Sequence, residues 1–291
     1  MFHAVIDSHR LISRLTILVA ALAAGLAAGG AAPGPSARAS KRERVAEIRS
    51  TLDMTAVRIV DLTHAFDERT IYWPTSPSTF EMKNLHYGLT GGGYFYSANS
   101  FCAPEHGGTH LDAPIHFAKG KWTADEVPID RLVGPAIVID VRGPAADDPD
   151  YRLSVADVER WEASHGAIPK GAIVLLRTGW DERWPSRAAY LGDDTPGDAS
   201  NLHFPAFGAE AAEYLVAKRK VHAIGVDTAS IDHGPSSDFP VHRIVAEANV
   251  PALENLKGLD ALPDVGAWIV AAPMKIAGGS GGPARVIALV P

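Results

Sequence analysis

Short apolar runs bounded by glycine alternate with amphipathic segments in this chain, and this alternation limits the folds that it can adopt. The runs at residues 134–143 and 171–180 are typical of strands buried on both faces. Residues 154–166 begin with a capping serine and end in glycine, which predicts a helix. A second amphipathic helix is predicted over 207–220, followed directly by a buried strand over 221–228. Strands that alternate with helices predict an α/β domain.

Further strands are predicted near both ends of this pattern. Residues 57–64 form a β-branched run that ends in a turn, and the stretch 91–108 alternates aromatic with small residues after a glycine turn. The runs at 266–276 and 284–290 are predicted to be closing strands. No internal repeat and no interdomain linker interrupts the chain, so residues 41–291 are predicted to form one domain.

The first forty residues do not resemble the rest of the domain. Basic residues precede the run "LTILVAALAAGLAAGG", which is short and rich in small residues for a membrane span, and "AAPGPSARAS" follows it. We interpret residues 1–40 as a secretory signal peptide and predict export, most simply to a bacterial periplasm. The alternative is an uncleaved amino-terminal anchor. Residues 41–53 are predicted to form a short amphipathic helix that leads into the domain.

The net charge argues against nucleic-acid binding, and the cysteine content excludes a disulfide within the chain. Removal of residues 1–40 takes away three arginines and one aspartate, which changes the formal net charge from −7 to −9. Such an acidic chain without a basic stripe is a poor candidate for nucleic-acid binding. Cys102 is the single cysteine, so no disulfide forms within the chain.

The stretch "EHGGTHLDAPIHF" gathers three of the twelve histidines and one aspartate between glycines and a proline. His106 and His110 are four residues apart, a spacing that lets both imidazoles face one point on a turn or a single helical turn. Asp112 adds an oxygen ligand, and two imidazoles with a carboxylate form a common site for catalytic zinc, manganese or iron. His116 lies four residues further on, where a proton shuttle would be useful. A lone histidine is more often a satisfied core or surface group, but four such residues at this spacing favour a metal site.

The same stretch resembles the signature of the metal-dependent cyclase family, which includes bacterial kynurenine formamidase and isatin hydrolase. The resemblance extends from "VDLTH" and "YWP" to the last strand. It implies a mixed sheet of the swivelling β/β/α type with flanking helices, and an assembly of two or four copies. It also implies that His106, His110 and Asp112 bind a divalent metal and that His116 is the catalytic acid–base.

The family has a second metal element, a histidine followed by a glutamate twelve residues later. His242 and Glu254 match it here, although His242 alone could decorate the helix that runs to Ala248. By this resemblance, Asp112 could bridge a pair of ions, so one or two Zn or Mn ions are expected. The segments "GVDTASID" and "GSGGPARVIAL" favour the isatin hydrolase branch over the kynurenine formamidase branch.

Other residues carry weaker signals. "GGSGG" around Ser280 matches the nucleophile elbow of serine hydrolases, but no acid or histidine follows it, so we predict a glycine-rich loop near the site instead. Cys102 is predicted to be a small buried packing group. Trp73 is either a core residue or, as the resemblance suggests, an aromatic wall of the substrate site. The sequence leaves open the roles of three further residues, His64, His203 and Asp227.

These observations predict a metal-dependent hydrolase that opens an amide or lactam C–N bond of a small aromatic substrate. An arylformamidase that acts on N-formylkynurenine is the alternative within the family. An alternative of another class is an exported protein that binds metal or a small ligand without turnover. A binding protein has no use for a proton carrier at His116, and this separates the two classes.

Overall fold

The computed structural model describes residues 56–291, which all lie in one unit. The predicted signal peptide and the predicted helix over 41–53 lie outside the described residues. The strands are β1 (Arg58–Asp61), β2 (Glu81–Leu89), β3 (Phe95–Cys102), β4 (His110–Asp112), β5 (Val133–Asp140), β6 (Arg152–Leu153), β7 (Ile173–Arg177), β8 (Ala206–Phe207), β9 (Ala223–Val226), β10 (Ala252–Glu254), β11 (Val265–Pro273) and β12 (Gly281–Val290). The α-helices are α1 (Ile129–Leu132), α2 (Arg142–Asp147), α3 (Val155–His165), α4 (Arg187–Leu191), α5 (Ala209–Tyr214) and α6 (Pro240–Glu247).

Seven of these strands pair in a closed ring. The order is β12-β11-β5-β7-β9-β10-β4, and β4 pairs again with β12. The pairs β5–β7, β7–β9 and β9–β10 are parallel. The other four pairs of the ring, β10–β4, β4–β12, β12–β11 and β11–β5, are antiparallel. β1 continues beyond β4 along the same edge of β12. Closure leaves the short strand β4 with partners on both sides, which fixes its backbone firmly.

The parallel strands are buried on both faces because different layers cover them. Val138 in β5 belongs to an apolar cluster with residues from β11 and β12, whereas its neighbours Ile137 and Ile139 belong to a second cluster. That second cluster includes side chains of α3, α5 and α6, so the helices cover this face of the sheet. The prediction of doubly buried strands in a mixed α/β domain is therefore confirmed.

Most of the predicted elements are present, with shifted ends. The serine and glycine signals at 154–166 are right, since Ser154 caps α3 and Gly166 ends it. The strand predicted over 134–143 ends at Asp140, and residues 142–147 form α2 instead. The helix predicted over 207–220 begins at Ala209 and finishes as a π-helical turn, Leu215–Arg219. The short strands β4 and β10 have too few residues for a periodic signal.

The strand predicted within 91–108 is one half of a hairpin that stands apart from the ring. β2 and β3 pair with each other in a separate two-stranded sheet. Cys102 at the end of β3 is exposed, so the prediction of a buried packing group is wrong. The sequence pattern of β3 is that of a strand, but no layer of the described domain covers it.

None of the helices in the described part of the chain combines the length and the apolar character needed to cross a membrane.

Candidate metal centre and active site

Strand β4 carries two of the predicted ligands on one face. His110 and Asp112 are two residues apart, so their side chains lie on the same side of the strand, while the intervening Leu111 packs into the core. His106 precedes the strand in the connecting loop. The imidazoles of His106 and His110 do lie close together, with ring centroids 5.4 Å apart, but they come from a loop and a strand and not from a single helical turn.

The first group of donors consists of His106, His110 and Asp112, whose ligand atoms all lie within 4.8 Å of one another. Nδ1 of His106 is 2.6 Å from Oδ1 of Asp112, and Nε2 of His110 is 3.1 Å from the same oxygen. The side chains of His110 and Asp112 are buried, and that of His106 is 26% exposed. One side of the group therefore stays accessible.

The second group consists of Asp112, His242 and Glu254, again within 4.8 Å. Strand pairing places Glu254 of β10 directly opposite His110, and α6 brings His242 over the strand ends. Nε2 of His242 is 3.1 Å from Oδ2 of Asp112 and 3.2 Å from Oε1 of Glu254. Asp112 thus belongs to both groups, with one carboxylate oxygen toward each.

Hydrogen bonds fix the orientation of two of the imidazoles. Nδ1 of His110 donates to the carbonyl oxygen of Gly108, at 3.0 Å, which directs Nε2 to the centre. Nδ1 of His242 is 2.7 Å from Oδ2 of Asp232, and the carboxylate of Asp232 also accepts from the backbone amides of Val241 and His242. Sequence reasoning missed Asp232, although it closes the quoted segment "GVDTASID".

The chemistry of this donor set fits a divalent cation. Nε2 of His110 is buried, and although Oδ1 of Asp112 is 3.1 Å away, the two atoms do not have the geometry of a hydrogen bond. Burial alone would lower the pKa of His110, but the carboxylates of Asp112 and Glu254 raise it to about 9. Burial opposes ionisation of Asp112, yet His106 and His110 hold the pKa of this carboxyl well below its usual value. Two carboxylates among buried imidazoles favour positive charge at this place. A Zn, Mn or Fe ion would provide that charge and would replace the protons that the imidazoles otherwise carry.

His116 lies beside the donors rather than among them. It ends a 3-10 turn, Pro114–His116, and its ring stacks on that of His106 with centroids 3.8 Å apart. The centroid of the His242 ring is 6.1 Å away. Burial lowers the pKa of His116 to about 4, so the imidazole is neutral near pH 7 and able to accept a proton.

A cavity of about 240 Å³ opens onto these groups. Its apolar wall includes Trp73, Phe117 and Phe239, and the ring of Trp73 meets that of Phe239 edge to face at 6.1 Å. Trp73 therefore lies at the position expected of a substrate wall. Phe117 and Phe239 carried no separate signal in the sequence, since each is one aromatic residue among many.

The remaining candidates lie at various places in the fold. Ser280 contacts His106, as expected of a glycine-rich loop near the site. The ring of His64 is buried against Trp184 and does not line the cavity, and His203 pairs with Asp150 at the surface. The buried carboxylate of Asp227 accepts hydrogen bonds from Thr178 and Gly179 and therefore orders a loop, without contact to a histidine.

Comparison with known proteins identifies relatives over most of this domain. A family model described as "Putative cyclase" matches residues 60–233. The isatin hydrolase of Roseibium aggregatum is 39% identical over 207 residues, which cover 68% of this chain and 77% of the relative. The kynurenine formamidase of Salinibacter ruber is 30% identical over 187 residues, which cover 62% of this chain and 74% of the relative.

Solved structures agree with this relationship. Isatin hydrolase A from Ralstonia solanacearum superposes with a TM-score of 0.72 at 37% identity, over 82% of this chain and 94% of that chain. A structure described as a potential metal-dependent hydrolase with cyclase activity superposes with a TM-score of 0.59 at 25% identity, over 81% and 99% of the two chains.

Proposed function

This chain belongs to the cyclase family, and from that premise we propose that it is a metal-dependent hydrolase that opens an amide or lactam C–N bond of a small aromatic substrate, as isatin hydrolase does. One observation carries the proposal. Two groups of donors, all buried except the partly exposed His106, share Asp112 in a cavity that has aromatic walls and a neutral imidazole beside the donors.

The donors assigned to the metal are His106, His110 and Asp112 for one ion, and Asp112, His242 and Glu254 for a second. A divalent ion in such a site supplies Lewis-acid activation of water and of a carbonyl group. Two or three imidazoles with carboxylates suit Zn or Mn, so either metal is compatible with the proposal.

The residues of the chain account for the remaining steps. Trp73, Phe117 and Phe239 line the wall on which a flat aromatic ring is held. His116 takes a proton from the attacking water and delivers it to the departing nitrogen. The water oxygen bonds to the carbonyl carbon, the C–N bond breaks, and the product carries a carboxylate and an amine. Isatin would thus give isatinate.

The deciding experiment combines elemental analysis of purified protein with absorbance assays on isatin and on N-formylkynurenine. We expect bound Zn or Mn and hydrolysis of isatin. Faster hydrolysis of N-formylkynurenine would favour the arylformamidase alternative, which the similarity to kynurenine formamidases supports. Bound metal without turnover of any cyclic or linear aryl amide would favour the non-catalytic binding protein.

We also propose that the chain forms a homo-oligomer, a dimer or a tetramer. In the β2–β3 hairpin, residues that pair across the two strands point to the same face of the sheet. One of the two faces carries five large apolar side chains, each more than half exposed: Met82, Tyr87, Leu89, Phe95 and Phe101. Asn84 and Asn99 lie on the same face, between the pair Met82–Phe101 and the group Tyr87, Leu89 and Phe95. Monomeric proteins rarely leave so many large apolar side chains together in water. A second copy of the chain would cover it.

The proposed place of action is outside the cytoplasm, because residues 1–40 have the composition of a signal peptide. A fusion of these residues to alkaline phosphatase tests this in a bacterial host, since the enzyme is active only after export. An inactive fusion would contradict export.

The finer fold assignment, the swivelling β/β/α type, stays a prediction.

A further inference from the structure

The glycine-rich loop at residues 278–282 places Ser280 between two residues of the histidine motif. Oγ of Ser280 is 2.8 Å from Nε2 of His106 and 2.5 Å from Oε2 of Glu105. The backbone amide of Ser280 donates to the same carboxylate oxygen, at 2.9 Å. Glu105 and His106 are adjacent in the chain, so the loop clamps both of them at once.

The direction of each hydrogen bond follows from the groups themselves. An ionised carboxylate only accepts, and a serine hydroxyl has one proton. The Ser280 hydroxyl therefore donates to Glu105 and can only accept from His106, so the shared proton of that second bond belongs to Nε2. Nδ1 lies 2.6 Å from Oδ1 of Asp112 and donates to this carboxylate when no ion is bound. Nδ1 is therefore the nitrogen whose proton a cation would displace to bind its lone pair.

The glycines around Ser280 make this contact sterically feasible. A Cβ on Gly279 would lie 2.7 Å from Oε1 of Glu105, and a Cβ on Gly281 would lie 2.7 Å from the ring of His106. The second of these atoms would also be 2.5 Å from the carbonyl oxygen of Leu111 in β4. The glycines of the "GGSGG" segment thus let the loop pack directly on the imidazole.

We propose that Glu105 and Ser280 are positioning residues that keep a proton on Nε2 of His106 and present Nδ1 to the cation. His106 differs in this from His110 and His242, whose Nδ1 atoms are engaged and whose Nε2 atoms face the centre. A carboxylate relayed through a hydroxyl also increases the electron density on the imidazole, which strengthens it as a ligand. The statement that Nδ1 of His106 binds a cation rests on the proposed function, whereas the statement that Nε2 carries a proton does not.

The test compares Ser280→Ala with Ser280→Thr, which keeps the hydroxyl. Titration of metal-free protein with Mn²⁺ should show about 10- to 100-fold weaker binding for Ser280→Ala, the range found when a partner of a ligating histidine is lost. Ser280→Thr should bind within about threefold of wild type, by the same reasoning. Ser154→Ala is the matched control, because Ser154 also donates to a carboxylate, Asp157, at 2.6 Å, but in the cap of α3. Its metal affinity should equal that of wild type.

A second readout follows the proton directly. In metal-free protein labelled with ¹⁵N-histidine, His106 should show an Nε2–H proton protected from exchange, identified by its loss in His106→Gln. Ser280→Ala should abolish the protection and Ser280→Thr should keep it. Wild-type metal affinity in Ser280→Ala, equal weakening in the threonine variant, or a protected proton that survives in Ser280→Ala would each overturn the proposal. Wild-type protein that binds Mn²⁺ but hydrolyses no aryl amide would instead reject the proposed function and leave this inference standing.

Discussion

A single imidazole, that of His116, divides a binding site from a catalytic one. Its ring stacks on the ligand candidate His106, but the grouping of donor atoms around Asp112 does not include it. Burial lowers its pKa to about 4, which leaves the imidazole neutral, with a free lone pair, at neutral pH. Its expected contribution is therefore to turnover and not to metal content.

Replacement of His116 by alanine should reduce turnover by roughly two to four orders of magnitude, the range for loss of a general acid–base. Metal content, measured by elemental analysis, should remain that of wild type. His203→Ala is the control, since His203 is an imidazole at the surface beside Asp150. If His116→Ala lost its metal together with its activity, His116 would be a ligand and the shuttle assignment would be wrong.

The carboxylate of Asp232 orients His242, so its effect should appear in metal affinity. Asp232→Asn removes the charged partner of Nδ1 and should weaken Mn²⁺ binding about 10- to 100-fold, measured by calorimetric titration. Asp238→Asn changes an exposed carboxylate of the same loop and should have no effect. Unchanged affinity in Asp232→Asn would mean that packing alone holds the His242 ring.

Among the elements, helix α3 shows how a local sequence signal becomes stability. Its capping serine, Ser154, and Asp157 exchange hydrogen bonds, and Asp157 also accepts from Tyr151 and Arg160. Burial opposes ionisation of Asp157, but the hydrogen bonds from Ser154, Tyr151 and Arg160 lower its pKa from 3.8 to about 2. The charged carboxylate is thus favoured in the folded state.

Asp157→Asn should therefore lower the free energy of unfolding by about 1–2 kcal/mol at pH 7. Because the folded pKa lies below the unfolded one, this stabilisation is complete above about pH 4 and disappears as the pH falls toward 2. Urea unfolding of both proteins across this range measures it. Glu159→Gln, on the exposed side of the same helix, is the control. A difference between Asp157→Asn and wild type that stayed constant down to pH 2 would contradict the linkage.

At the scale of the whole molecule, the β2–β3 hairpin is a part of the described chain that the apolar core does not cover. The side chains of Tyr87 and Leu89 in the β2–β3 hairpin are 76% and 74% exposed, and two strands alone are marginally stable in water. The double variant Tyr87→Lys/Leu89→Lys should therefore elute as a monomer, whereas wild type should have the mass of a dimer or tetramer by light scattering.

The control for this experiment is Lys83→Ser, on the opposite face of the hairpin, which should keep the wild-type mass. A monomeric wild type, or a double variant that remains oligomeric, would remove the hairpin from the interface. Circular dichroism of the double variant checks that the domain itself is folded.

The sequence predicted the site better than it predicted how the site is assembled. His106, His110, Asp112 and His116 lie close together in the chain, so their spacing alone identifies them as candidates, and the structure brings their side chains together. Glu105 and Asp232 were not found, and Ser280 was placed only in a loop near the site, because a carboxylate or a hydroxyl has no distinctive pattern until the imidazole that it contacts is known. Cys102 was misjudged for a related reason, since a strand pattern does not tell whether anything packs on the strand.

By itself, the sequence determined the types of donor atom, the alternation of strands and helices, and the caps of α3, because these depend on neighbours within a few residues. The tertiary structure alone decided which atoms meet. Pairing of β4 with β10 sets Glu254 opposite His110, and pairing of β4 with β12 brings Ser280 to His106. These contacts join distant parts of the chain through backbone hydrogen bonds and closure of the sheet, and side-chain periodicity carries no record of such partners.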